Sequence, residues 1–444
     1  MRKLLTVSSV LLVWMLVAPL ASAKQLHLEV SLDKPTLLAA KKQTTFIKIG
    51  LTGFKTDSDK DRSPVNVAIV LDKSGSMQGQ KIDKAKEAAI AAIERLNKND
   101  IVSVVAYDST VTVVVPATKL TDKRSLIERI RKITAGGSTA LFAGVSKGAA
   151  EIRKFSEKNR VNRIILLSDG LANVGPKSPS ELGALGASLQ KESIAVTTLG
   201  LGLDYNEDLM TMLAQNSGGN HVFIEDADQL VEVFNYEFND VLSVVAQEVS
   251  IDIRTAKGIR PIRVLNIASE INGQRVIVAM NQIYSEQEKY VLLEVEVPAS
   301  MAGQSREIAE VKVSYANMQT HTTDRLSSSV SANFSDSLAV VEKNLNINVC
   351  TSCVLQLANV QNQLATTLRD RGDIEGARRV LVENFKYLEE NAAKFKSKVL
   401  YIRSGDNRVQ ALSLNTADWA RSRKLMRQLQ NVDARQQSYD GTKR

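Results

Sequence analysis

The sequence predicts an α/β fold: a doubly wound, mostly parallel sheet inserted in, or flanked by, a β-sandwich, with an α-helical region towards the C-terminal end. Three observations carry this. Val65-Asn66-Val67-Ala68-Ile69-Val70-Leu71 is a near-continuous apolar run, which suits a strand covered by helices on both faces. Between residues 64 and 245 such runs alternate with stretches of helical periodicity, the pattern of βαβ units. On either side, at 24–54 and 246–335, apolar residues recur with period two, as in half-buried antiparallel strands.

Residues 1–23 read as a secretory signal. Arg2 and Lys3 form the charged start, Leu11 to Val17 lies in the apolar middle, and Ala21-Ser22-Ala23 is an A-x-A cleavage site. The expected mature chain starts at Lys24. Leu26–Leu32 and Thr45–Leu51 alternate as strands within a 24–63 segment that ends in a polar linker, Lys55 to Ser63. From Pro64 the expected order is strand 65–71, a helix through Ile82, Ala85, Ala89, Ile93 and Leu96, strand 101–107 and a short edge strand 111–115. A helix through Leu126 and Ile130, a helix at 141–155, strand 163–167, helix 180–191 and strand 194–199 follow. Helix 207–215, strand 221–224 and a last helix at 226–245 complete the domain, with Asp226 or Asp228 near the cap. Strands at 249–253, 276–278, 290–297 and 308–313 are expected next. Because a lone hairpin is marginal in water, residues 24–54 and 246–335 are expected to form one sandwich around the inserted α/β domain. At 336–403 a helical hairpin turns at Arg371-Gly372-Asp373, and 404–444 reads as a polar, basic tail with a short helix near Trp419–Leu429. Arg371-Gly372-Asp373 spells an integrin-binding tripeptide, but Gly between two helical runs is what a tight turn needs.

At 444 residues, 44% apolar and 24% charged, the chain has room for two or three folded units. Two of its 57 Lys and Arg lie in the leader, so the rest carries 55 against 49 Asp and Glu, a formal +6. Without aromatic–basic clusters this is solvated surface charge, and nucleic acid is not an expected partner. No run beyond the leader reaches the roughly 18 apolar residues of a membrane span. A periplasmic or secreted protein with no membrane span after cleavage is expected.

The opening strand runs into Asp72-Lys73-Ser74-Gly75-Ser76, a carboxylate and two hydroxyls at alternate positions. In open α/β sheets ligands bind beyond the carboxyl ends of strands, and three hard oxygens there suit a small hard cation. Taken alone, the run also fits a helix cap. Two more pieces point to the same end of the sheet: Gly136-Gly137-Ser138-Thr139 before a helix, and Ser168-Asp169-Gly170 after a strand. These three pieces, in this order, resemble the von Willebrand factor A family and its metal-ion-dependent adhesion site, over roughly residues 64–245. The resemblance implies that Ser74, Ser76 and Thr139 contact Mg²⁺ directly, with Asp72 and Asp169 acting through water; Mn²⁺ or Ca²⁺ are alternative ions. It implies a protein partner that offers an Asp or Glu to the metal, and no enzymatic activity. Family members also couple the site to movement of the last helix, and a flexible junction near Val244–Gln247 is the sequence support for such coupling here.

Cys350 and Cys353 are the only cysteines. In an oxidising compartment a local disulfide is expected, and a thiol–disulfide oxidoreductase is the competing function. A structural envelope protein with a purely stabilising metal is a third reading. His27, His221 and His321 are far apart, and neither Gly-x-Ser-x-Gly nor His-Glu-x-x-His occurs. Asp204 and Asp208 suggest a helix cap or a secondary cation site.

Overall fold

The structure is a computed structural model that describes residues 25–55, 62–157 and 159–436. The predicted signal, most of the 55–63 linker and the last eight residues lie outside them. The described chain begins with β1 (Leu26–Leu32), β2 (Thr36–Leu38) and β3 (Gln43–Gly53). The α/β domain follows: β4 (Val65–Asp72), α1 (Gln80–Arg95), β5 (Ile101–Tyr107), β6 (Val111–Lys119), α2 (Lys123–Arg131), α3 (Leu141–Arg153) and β7 (Val161–Ser168). It closes with α4 (Pro179–Lys191), β8 (Ile194–Leu201), α5 (Glu207–Ser217), β9 (His221–Ile224) and α6 (Leu230–Leu242). Its sheet order is β6-β5-β4-β7-β8-β9, parallel except for edge strand β6.

The continuous apolar run of β4 has a direct cause. Val67, Ile69 and Leu71 pack with α1, α2 and α6, while Ala68 and Val70 pack with α3, α4 and α5. Strand order runs outward from β4 in both directions, so the ends of β4 and β7 form the topological switch point where ligand sites are built.

The chain then returns to β structure: β10 (Val244–Thr255), β11 (Arg260–Val264), β12 (Ser269–Asn272), β13 (Arg275–Tyr284), β14 (Glu288–Val297), β15 (Ser305–Asn317) and β16 (Thr323–Ser335). Two sheets form, β1-β3-β14-β11 and β12-β13-β10-β15-β16-β2. β3 pairs with β1 on one side and β14 on the other, Ile49 facing Val30 and Val291. Inner-face residues of both sheets, among them Ile47, Ile49, Leu293, Ile251, Val278 and Val311, make one core. The segments before and after the α/β domain therefore share one sandwich.

Two expectations are corrected here. The last helix of the α/β domain stops at Leu242 rather than 245; Asp226 caps a separate turn at Ala227–Gln229. Val244–Gln247 is the start of β10, not a flexible junction: Val244 pairs with Tyr284 and Ala246 with Ile283 and Asn317, and all four residues are buried.

The remaining helices are α7 (Leu338–Lys343), α8 (Ile347–Asp370), α9 (Ile374–Phe395), α10 (Lys398–Ser413) and α11 (Trp419–Arg435). The Arg371-Gly372-Asp373 turn joins α8 to α9: Gly372 takes a φ of 87°, where only Gly is unstrained, and Asp373 Oδ1 accepts from Gly376 N at 2.9 Å. The polar tail expected from 404 onward is instead most of α10 and all of α11. Both are packed through buried amides: Asn362 Nδ2 donates to Asn407 Oδ1 (3.0 Å) and Gln410 Oε1 (2.6 Å), and Gln430 Nε2 donates to Asn362 Oδ1 (2.8 Å). Satisfied buried amides hold register without apolar periodicity. Among the described residues no helix is long and apolar enough to cross a membrane.

Candidate metal centre

Asp72 ends β4, and its carboxylate organises the loop that follows. Ser74 N donates to Oδ1 at 2.8 Å, and Ser168 Oγ, at the end of β7, donates to Oδ2 at 2.6 Å. The carboxylate is fully buried, and burial pushes its pKa up despite the hydrogen bonds from Ser168 and Ser74. The nearby charge of Asp169 pushes the same way. Two like carboxylates held together at strand ends favour a cation between or beside them.

The second loop is fastened to the first through backbone. Gly136 N donates to Lys73 O (2.7 Å), and Gly75 N donates to Gly137 O (2.9 Å). Gly137 takes φ 81° with the Asp108 side chain packed against it, and Asp108 is ion-paired to Lys73. Thr139 N donates to Asn173 Oδ1 (2.8 Å), while Asn173 N donates to Thr139 O (3.1 Å). These bonds carry Thr139, from before α3, to the switch point.

The hydroxyls converge. Ser74 Oγ lies 3.1 Å from Ser76 Oγ, and Ser76 Oγ donates to Asp169 Oδ1 at 2.6 Å. A Cβ on Gly170 would lie 3.2 Å from Ser76 Oγ, 3.3 Å from Thr139 Oγ1 and 3.9 Å from Ser74 Oγ. All three hydroxyls thus face one space that glycine leaves clear. Asp72, Ser74, Ser76, Thr139 and Asp169 are all brought together, and their donors are all oxygen. That set fits a hard divalent cation and no soft one. The cradle beside Gly170 gives the hydroxyls a common focus.

Three contributors lie outside the five expected ligands. Ser168 orients Asp72, Asn173 anchors Thr139, and Lys81, on the first turn of α1, donates Nζ to Asp169 Oδ2 at 2.6 Å. Lys81 shows that the field at Asp169 already attracts a cation. Only the fold reveals it, because Lys81 lies five residues past Ser76 on a helix surface.

Elsewhere the structure corrects two expectations. Cys350 and Cys353 are free, buried thiols on α8. Residues three apart on a helix hold their Cβ atoms about 5–6 Å apart, beyond the roughly 3.5–4.5 Å of a disulfide. Cys350 Sγ contacts Asp33 O at 3.5 Å, and Cys353 packs with Leu265 and Leu292. Burial pushes the Cys350 thiol up to about 11 and the Cys353 thiol further still, the reverse of an activated thiolate. Asp204 and Asp208 form no cation site. The α5 cap is Asn206, whose Oδ1 accepts from Leu209 N at 3.1 Å, and Asp208 is ion-paired to Arg423 (2.6 Å) and Arg427 (2.7 Å) of α11. Among the described residues no group of three His, Cys, Asp or Glu side chains is placed to hold a metal.

A doubly wound sheet with a cluster of hydroxyl and carboxylate oxygens at its switch point defines the class of this domain. Residues 66–236 match the sequence model of the von Willebrand factor type A domain, so the chain carries a domain of that type. A Synechocystis protein, sll0103, is 26% identical over 337 residues, which is 74% of this chain and 79% of that protein. YfbK of Escherichia coli is 25% identical over 213 residues; the match spans 48% of this chain but only 37% of YfbK. A solved structure described as a von Willebrand factor type A from Catenulispora acidiphila superposes with a TM-score of 0.70 at 18% identity, covering 92% of this chain and 96% of that one. That likeness extends the shared fold beyond the α/β domain to the sandwich and helices. Domains of this family are chiefly protein-interaction modules.

Proposed function

We propose that the chain is an exported, non-enzymatic binding protein that recognises a carboxylate on a partner protein through a divalent cation, Mg²⁺ foremost. Asp72, Ser74, Ser76, Thr139 and Asp169 would hold the ion as a metal-ion-dependent adhesion site. The observation that carries this reading is the focusing of three hydroxyls from two loops on the space beside Gly170. When bound, the cation would supply an electrophilic position that a partner's Asp or Glu can fill; neutral hydroxyl donors leave most of its charge uncancelled.

The chain's own residues do the rest. Ser168 and the Ser74 amide fix the Asp72 carboxylate, Asn173 fixes Thr139, and Ser76 and Lys81 divide the two oxygens of Asp169. Location also supports the reading. The sandwich contacts the sheet through Arg163 near the start of β7, where its guanidinium is bonded to Gln282 and Tyr284. Asp169 lies six residues further on, about 20 Å along an extended strand. The cluster therefore faces away from the sandwich.

The test is retention of envelope proteins on the immobilised chain in Mg²⁺, in EDTA, and with Asp72→Ala in Mg²⁺. Proteins held only by the wild type in Mg²⁺ support the reading. Identical retention in all three samples would move recognition to the sandwich or the helices.

A further inference from the structure

α10 is built inside out. Its buried face is Leu400, Ser404, Asn407, Gln410 and Ala411, and the polar members are spent on the helical region's amide network. Asn407 Oδ1 accepts from both Asn362 and Asn384, and Gln410 Oε1 accepts from Asn362. Its aliphatic and aromatic side chains point the other way. Val399 is 51% exposed, Tyr401 67%, Ile402 48%, Val409 65% and Leu412 69%. Ile402, Gly405, Val409 and Leu412 are spaced three, four and three, so they form one stripe along the helix. Gly405 has open space beside it. Isolated exposed apolar residues need no explanation, but five on one short helix do.

The exposed, unpaired charges of α10 itself are of one sign. Lys398 and Arg408 are exposed on the same side, and neither has an ion-pair partner among the described residues. The sole carboxylate of α10, Asp406, is turned to Arg403 at 3.1 Å. Lys394 and Lys396 are exposed just upstream.

We propose that α10 seats the chain peripherally on an anionic phospholipid surface. The stripe would enter the boundary between headgroups and acyl chains, and Lys398, Arg408 and the upstream lysines would meet lipid phosphates. Tyr401 suits that depth, having an apolar ring and a polar tip. Charge favours this occupant over a second copy of the chain, since facing copies would bring cationic stripes together. Shape favours it over a folded protein: the stripe runs along the outer face of one helix, and its residues line none of the four cavities formed at the amide network, beside Gln215 and Asn266, beside Ser250 and Arg325, and beside Asp33 and Cys353. The proposal is independent of the metal centre.

Co-sedimentation with vesicles tests it, using the chain from Lys24 onward, which contains every described element. Vesicles of phosphatidylglycerol mixed with phosphatidylcholine are compared with phosphatidylcholine alone. One variant combines Ile402→Asp and Val409→Asp, another Lys398→Glu and Arg408→Glu. All four side chains point outward, and matching circular dichroism and melting curves would establish that both variants fold. The wild type should partition onto the anionic vesicles about tenfold or more better than onto neutral ones. Each variant should lose about tenfold or more of that binding. Absence of binding to anionic vesicles would overturn the proposal, as would equal binding by both variants. A wild-type dimer that Ile402→Asp converts to monomer would assign the stripe to a second copy and would equally overturn it.

Discussion

Asp72 and Asp169 sit side by side at the switch point, yet the protein treats their oxygens differently. Both oxygens of Asp72 are taken by Ser74 N and Ser168 Oγ, whereas Asp169 is shared between Ser76 Oγ and the Lys81 ammonium. Lys81 is thus a tethered cation at the place where a divalent ion would bring charge. Lys81→Met should tighten divalent-metal binding about tenfold, because like-charge repulsion is removed; calorimetric titration of wild type and variant with Mn²⁺ checks this. Gly170→Ala should weaken metal uptake at least as much, since the added methyl would sit 3.2–3.3 Å from two of the hydroxyls. The same titration reads that loss, with a melting curve to show that the fold survives. The five oxygen-bearing side chains were legible in the sequence because each sits in a short motif at the end of a strand or the start of a helix. Lys81 and Asn173 act through geometry that only the folded loops create, and no local pattern marks them; Ser168 stood in a motif, but its bond to Asp72 across two strands is visible only in the fold.

At the scale of elements, legibility follows what a segment buries. β4 and β7 are apolar on both faces and read as buried strands at once. α10 and α11 were read largely as a polar tail because their buried faces carry Asn407, Gln410, Gln430 and Asn431, so hydrophobic periodicity is absent where packing is tight. β16, rich in serine, pairs along its length with β15 and turns Leu326, Val330, Ala332 and Phe334 to the sandwich core. α11 also ties the helical region to the α/β domain. Arg423 and Lys424 are ion-paired to Glu207, Lys424 at 2.6 Å and 3.9 Å above the Tyr205 ring, and Gln428 Oε1 accepts from Phe223 N on edge strand β9. Glu207→Gln would leave the buried Lys424 ammonium without its carboxylate partner, while Arg423 keeps Asp208 and Asp370, and should cost about 3 kcal/mol in chemical denaturation. Glu237 of α6 is a separate case. Buried with Asn220 Nδ2 at 2.7 Å, it has a carboxyl pushed up to about 7, mainly by burial. The folded state therefore holds this proton to higher pH than the unfolded chain does. Its contribution weakens as pH rises from about 4.5 towards 7 and stays low above that. Glu237→Gln should remove this slope, so the stability difference between variant and wild type should move in the variant's favour between pH 5 and 8.

Across the whole molecule, a two-part sandwich brackets the α/β domain and fastens to its lower edge. Asn281 Nδ2 donates to Ser217 O at 2.8 Å, Ser63 Oγ donates to Met318 O at 3.0 Å, and Arg163 is buried between the two units. Because β10 starts two residues after α6, any displacement of that helix would have to be carried into the sandwich rather than absorbed by a loose linker. Linkage gives the scale of the metal's effect. A cation that binds only the folded chain, at a hundredfold excess over its Kd, should raise stability by about 2.7 kcal/mol, and EDTA should remove that gain. The five residues at the switch point are expected to hold one divalent cation. Titrating Mg²⁺ into the wild type and into Asp72→Ala, with heat as the signal, tests it most directly. One ion bound per wild-type chain and none by the variant is the expected result; equal uptake by both, or none by either, would contradict it.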